Sequence, residues 1–118
     1  MSTIHECNLS SPHFENIKES KKIYEIRILD EKRKRMKVSD TLIFYHNSDK
    51  EKIEPIRTKI VEIKVFNSFV EALEGMDLSN ILPGQTEMEN CVRIYEEIPG
   101  YSELAKLLGV VRFKIILL

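Results

Sequence analysis

Short runs alternating between two sets of side chains recur along the chain. A two-residue period belongs to strands, whose successive side chains point to opposite faces. The last run is the clearest: over 110–118, Val111, Phe113, Ile115 and Leu117 share a face. The longest, Ile56 to Phe66, loses its alternation at Ile60-Val61, which predicts a bulge or bend there. Thr41 to His46 sets Leu42, Phe44 and His46 against Ile43 and Tyr45, and Ile4 to Leu9 alternates weakly. The unusual run is Lys22 to Leu29. Tyr24, Ile26 and Ile28 form one face, while the other mixes Ile23 and Leu29 with Glu25 and Arg27. Such a face either meets water or lines a polar cleft.

Helix signals fall between these runs. Ser11 before Pro12 reads as an N-cap with proline at the first helical position, and Phe14 and Ile17 face the core of a short helix ending near Ser20. Ser68 and Glu71 have capping-box spacing, with Gly75 closing that helix. Thr86 and Glu89 repeat the spacing ahead of a Met88, Cys91, Val92, Tyr95 stripe, closed by Pro99-Gly100. The charged stretch 30–40 reads as loop, Leu82-Pro83-Gly84-Gln85 as loop, and Asn47-Ser48-Asp49-Lys50 as a turn. Short strands with helices inserted irregularly predict an α+β fold with a mixed sheet or small barrel.

At 118 residues this is one domain, 1–118, and 42% hydrophobic against 31% charged residues is a soluble globular balance. No run approaches a membrane span, the N-terminus is not a secretory signal, and Cys7 and Cys91 form no paired motif. These point to the cytoplasm, with the nucleus as the alternative for a eukaryotic or viral source. A net charge of −1 argues against indiscriminate polyanion binding, but the charge is uneven. Lys32, Arg33, Lys34, Arg35 and Lys37 crowd one run, and Glu87, Glu89, Glu96 and Glu97 another.

Three features could carry chemistry. Lys22, Glu25 and Arg27 straddle the start of a strand. A desolvated lysine can serve as a base, a carboxylate can orient amide groups or water, and an arginine can fork onto an oxyanion. On spacing alone the same residues read first as a surface ion-pair ladder. The 32–37 run could contact phosphates, or simply be a solvated loop. His5, His13 and His46 are scattered without ligand spacing, so no metal site is expected. No phosphate-binding glycine loop or serine-hydrolase elbow occurs, and no cofactor is expected.

The order of these pieces resembles the ASCH domain family, a branch of the PUA-like superfold. The family pattern is a short early helix, a Gly-x-Lys-x-x-Glu-x-Arg strand, and a Gly-Asp before the next strand. A Ser-Phe helix, a Pro-Gly loop and a terminal Gly-Val strand follow. Here the series reads Phe14-Glu15-Asn16-Ile17, Ser20-Lys21-Lys22-Ile23-Tyr24-Glu25-Ile26-Arg27, Ser39-Asp40, Ser68-Phe69, Pro83-Gly84 and Gly109-Val110. Serines stand at two family glycines, Ser20 and Ser39, which suggests altered turns or a cleft less open near the backbone.

The resemblance implies a small mixed PUA-like β-barrel with peripheral short helices and a cleft suited to RNA, single-stranded nucleic acid or a modified nucleoside. Lys22, Glu25 and Arg27 would form its floor, and Lys32, Arg33, Lys34, Arg35 and Lys37 would touch phosphates. Some relatives are amidohydrolases on N4-acylated cytidines, using a lysine, a threonine three residues later and a distant glutamate. Lys22 matches the lysine, Glu25 stands at the threonine, and the glutamate falls near Glu87 or Glu89. Binding module, hydrolase or nuclease, and protein-interaction domain with a degenerate cleft therefore remain three readings. The third includes a dimer joined through an exposed sheet edge such as the C-terminal strand.

Overall fold

The computed structural model describes residues 2–48 and 51–118. Its elements in chain order are β1 (Ile4–Leu9), α1 (His13–Lys18), β2 (Tyr24–Ile28), α2 (Glu31–Lys34), β3 (Thr41–His46) and β4 (Ile56–Phe66). Then come α3 (Phe69–Leu73), a 3-10 turn (Leu78–Asn80), α4 (Met88–Glu96), α5 (Tyr101–Leu108) and β5 (Val110–Leu117). Part of the expected 47–50 turn, residues 49 and 50, lies outside the described residues.

One mixed sheet runs β1-β3-β4-β5-β2. β1 lies parallel to β3, and the other pairs are antiparallel. The β4–β5 register shifts between Ile60 and Glu62, where the alternation lapses. The sheet curls into a half-barrel. Phe14, Ile17, Leu42, Phe44, Ile60, Phe113 and Ile115 fill one core. Ile26, Ile28, Phe69, Leu73, Ile81, Cys91 and Tyr95 form the other with the helices. Arg112 on β5 donates to the Ala72 carbonyl at 2.5 Å and stacks on Phe66 and Tyr24, fastening the end of α3 to the sheet.

Several local expectations are corrected. The C-terminal strand is no edge: β5 is paired on both sides, and the edges are β1 and β2. Residues 31–34 are helical because Asp30 accepts from the Arg33 amide as N-cap. Residues 101–108, unassigned from sequence, form α5. The Ser68 cap is made to the Glu71 amide at 3.2 Å, but α4 starts at Met88 with Glu87 as an uncapped N-terminus. α1 begins one residue late, at His13, and the Ser11 hydroxyl instead meets Glu15 at 3.0 Å and His46 at 2.9 Å. Ser20 and Ser39 adopt φ of 61° and 82°, the left-handed conformation glycine favours, so the turns are not reshaped to suit serine.

Among the described residues no backbone ladder closes the gap between these two edges. Side chains bridge it. Arg27 on β2 donates to the Asn8 carbonyl on β1 at 2.8 Å. From α2, Lys32 donates to the Glu6 carbonyl, and Arg33 lies 3.9 Å from the Cys7 thiol.

Candidate functional site

Beside this gap lies a cleft of about 340 Å³, at the small end of ligand pockets, which run from about 300 to 1,000 Å³. Its floor is the ionic face of β2, with Lys22, Glu25 and Arg27 all lining it. Of the two readings of that face, the cleft is the one found. His13 from α1, Asn8 from β1, Tyr95 from α4 and Tyr101 from α5 form the walls.

The floor is dry. The Lys22 side chain is 1% exposed and that of Glu25 6%. Lys22 Nζ donates to the Ile81 carbonyl at 2.6 Å and sits 3.6 Å from Glu25 Oε1. Arg27 donates to Glu25 Oε2 at 3.2 Å, and the Ile26 amide donates to Oε1 at 3.1 Å. Burial works to raise the Glu25 pKa, but Arg27 and Lys22 overcome it and hold the carboxyl below its ordinary value. Burial lowers the Lys22 pKa against the pull of Glu25. For Arg27 the balance tips the other way, with Glu25 outweighing burial and raising it.

Two further residues emerge only from the fold. Burial, with help from Lys22, lowers the His13 pKa, which favours a neutral ring able both to donate and to accept. The Tyr95 hydroxyl is buried with no hydrogen-bond partner among the described residues, and its pKa is raised by burial and by Glu25. A buried hydroxyl without a partner is uncommon and calls for an explanation. In sequence, Tyr95 reads only as part of a helical stripe and His13 as an isolated histidine; neither period nor spacing marks them.

Glu87 and Glu89 do not reach this cleft. Glu87 is exposed at the start of α4, and Glu89 lines a separate shallow groove with Val70, Met88 and Val92. Phase turns Glu89 away from the face of α4 that brings Ile94 and Tyr95 to the cleft, and Glu87, the N-cap, lies about two turns along the helix from them. Of the basic run, Lys32 and Arg33 reach the β1–β2 gap, while Lys34, Arg35 and Lys37 are exposed. Among the described residues no group of three or more His, Cys, Asp or Glu could hold a metal ion, and no helix is long and apolar enough to cross a membrane.

The family model for the ASCH domain matches residues 8–115. The chain belongs to the ASCH domain family. This family has a PUA-like fold often linked to RNA binding. The crystal structure of the hypothetical protein PH0355 is similar to this ASCH domain with a TM-score of 0.82 and 32% identity, over 98% of this chain and 99% of that one. The solution structure of PF0455 from Pyrococcus furiosus follows at 0.71 and 31% identity, over 98% and 97%. The crystal structure of ASCH from Zymomonas mobilis gives 0.57 at 18% identity, over 94% of this chain and 66% of that one, a likeness of fold. No protein with a curated description matches in sequence.

Proposed function

We propose that this ASCH domain binds a base-sized polar group, as part of an RNA strand or as a free modified nucleoside. Glu25 accepts from an amine of the guest, Arg27 and Lys22 keep Glu25 ionised, the Tyr95 hydroxyl and the His13 ring complete the polar edge, and Tyr101 offers a stacking face. The cations Lys32, Arg33, Lys34, Arg35 and Lys37 contact phosphates beyond the cleft. The observation that carries this reading is the buried, ionised Glu25 on a cleft floor next to an unpartnered buried hydroxyl. Charged acceptors form the stronger hydrogen bonds.

The test is fluorescence anisotropy with labelled short RNA and single-stranded DNA at two salt concentrations. Binding of RNA should weaken as salt rises. Glu25→Gln should lower affinity by about tenfold without changing the salt slope, whereas Lys34→Gln with Lys37→Gln should flatten that slope. Negligible, salt-insensitive binding to every probe overturns the reading. A second reading, amidohydrolysis, draws support from the desolvated Lys22 amine beside Glu25. With Glu87 and Glu89 outside the cleft, Glu25 would have to activate water itself. Release of cytidine from N4-acetylcytidine above a Lys22→Ala control would favour it over simple binding.

A further inference from the structure

A second cavity, of about 290 Å³, occupies the gap between β1 and β2. Cys7, Lys32, Arg33 and Tyr45 line it, and Asn8 and Arg27 line both it and the cleft, so the two spaces adjoin at the Arg27 guanidinium. We propose that this seam is an oxyanion subsite, and that the guest of the cleft is a nucleotide whose phosphate lies against Lys32 and Arg33. The proposal rests on the cleft reading above and narrows its guest from an RNA strand or a free modified nucleoside to a nucleotide, with its phosphate placed in the seam.

The argument is one of mismatched partners. Three cationic side chains converge here, and the contacts they make to the β1 edge go to neutral acceptors, the Asn8 and Glu6 carbonyls and the Cys7 thiol. Lys32 donates to a backbone carbonyl, that of Glu6. Arg33 keeps one nitrogen on Asp30 at 2.7 Å, but Nη2 has only the Cys7 sulfur at 3.9 Å, and Nε is buried with no partner among the described residues. Thiols are weak acceptors, and a buried N–H without an acceptor is rare. A phosphate monoester has three terminal oxygens. It could take Lys32 Nζ, Arg33 Nε and Arg33 Nη2 while leaving the Asp30 pair intact, turning one neutral and two deficient contacts into charge-assisted ones. The carboxylate of the lining, Glu6, is engaged by the Tyr45 hydroxyl. Because Arg27 separates the spaces, a group bound on Glu25 and an oxyanion in the seam sit on either side of one guanidinium. The base and phosphate of one nucleotide, joined through a ribose, suit two adjoining spaces.

The experiment follows backbone amide shifts by NMR during titration with inorganic phosphate, and then with each of the four nucleosides and its 5′-monophosphate. Inorganic phosphate should move the Asn8, Lys32 and Arg33 amides. A monophosphate should bind about tenfold tighter than its nucleoside. Lys32→Gln with Arg33→Gln should abolish both effects, while Lys59→Gln with Lys64→Gln, which removes the same charge from the exposed side of β4, should abolish neither. The spectrum of each variant shows whether it is folded, and Lys32→Gln alone, at an exposed side chain, provides a milder second variant. Equal affinity for nucleoside and monophosphate, with the seam amides unmoved by phosphate, overturns this inference and leaves the cleft reading standing. Phosphate at the seam with no nucleoside or nucleotide in the cleft overturns the cleft reading and the nucleotide assignment together.

Discussion

A buried carboxylate stays ionised only when its partners repay the loss of water, and Glu25 has Arg27, Lys22 and the Ile26 amide. Removing one side of such a set leaves the other charges stranded, so Glu25→Gln should destabilise the fold by about 3 kcal/mol in urea unfolding. Asp40 is a simpler case. It accepts from the Thr3 amide at 3.0 Å, the Lys37 amide at 2.9 Å and His5 at 2.8 Å, which depresses its pKa from 3.8 to about 2. A depressed carboxyl stabilises the fold fully above its unfolded value of 3.8, and that contribution drains away as pH falls through about 2. Asp40→Asn should therefore lower stability at neutral pH and flatten the acid limb of a melting-temperature profile. Ser20 and Ser39 hold a backbone region that costs an L-residue roughly 1 kcal/mol, so Ser39→Gly should raise the melting temperature. The charged face of β2 was legible in sequence because Glu25 and Arg27 alternate with Tyr24, Ile26 and Ile28, but the sequence left open whether that face met water or a cleft. His13 and Tyr95 were not legible, since only the fold carries α1 and α4 to the same hollow.

At the level of elements, all five strands were legible, because each carries a period-two run. The bulge in β4 was legible too, from the lapse at Ile60-Val61. The helices were harder. α3 declares itself through Ser68 and Glu71, whereas α2 is a single turn inside a charged run that looks like loop. α5 begins at Gly100 without a side-chain cap and leaves Leu104 and Leu107 exposed, so neither its start nor its stripe stands out. Its exit is more demanding. Gly109 turns the chain from α5 into β5 at φ 82° and ψ −178°, and an added Cβ would meet the Phe66 carbonyl at 3.0 Å. Gly109→Ala should cost about 2 kcal/mol, read by urea unfolding, whereas Gly84→Ala, with nothing within 4 Å of the added Cβ, should lose only the strain of its own turn.

For the molecule as a whole, the half-barrel is closed by side chains where a full barrel would use a ladder. Arg27→Met should thus speed hydrogen exchange of the β1 amides by about tenfold, and leave those of β4 and β5 unchanged. No periodicity announces this closure, because it depends on which strands become neighbours rather than on any one of them. The order of the sheet has its own consequence. Among the described residues β2 pairs with β5 alone, which lies beyond residue 109. A ribosome adding about 5–20 residues per second takes roughly 4–16 s to reach it. Through that interval β2 lacks its partner in the sheet. The cleft floor on β2 therefore takes its place in the sheet only after β5 has left the exit tunnel.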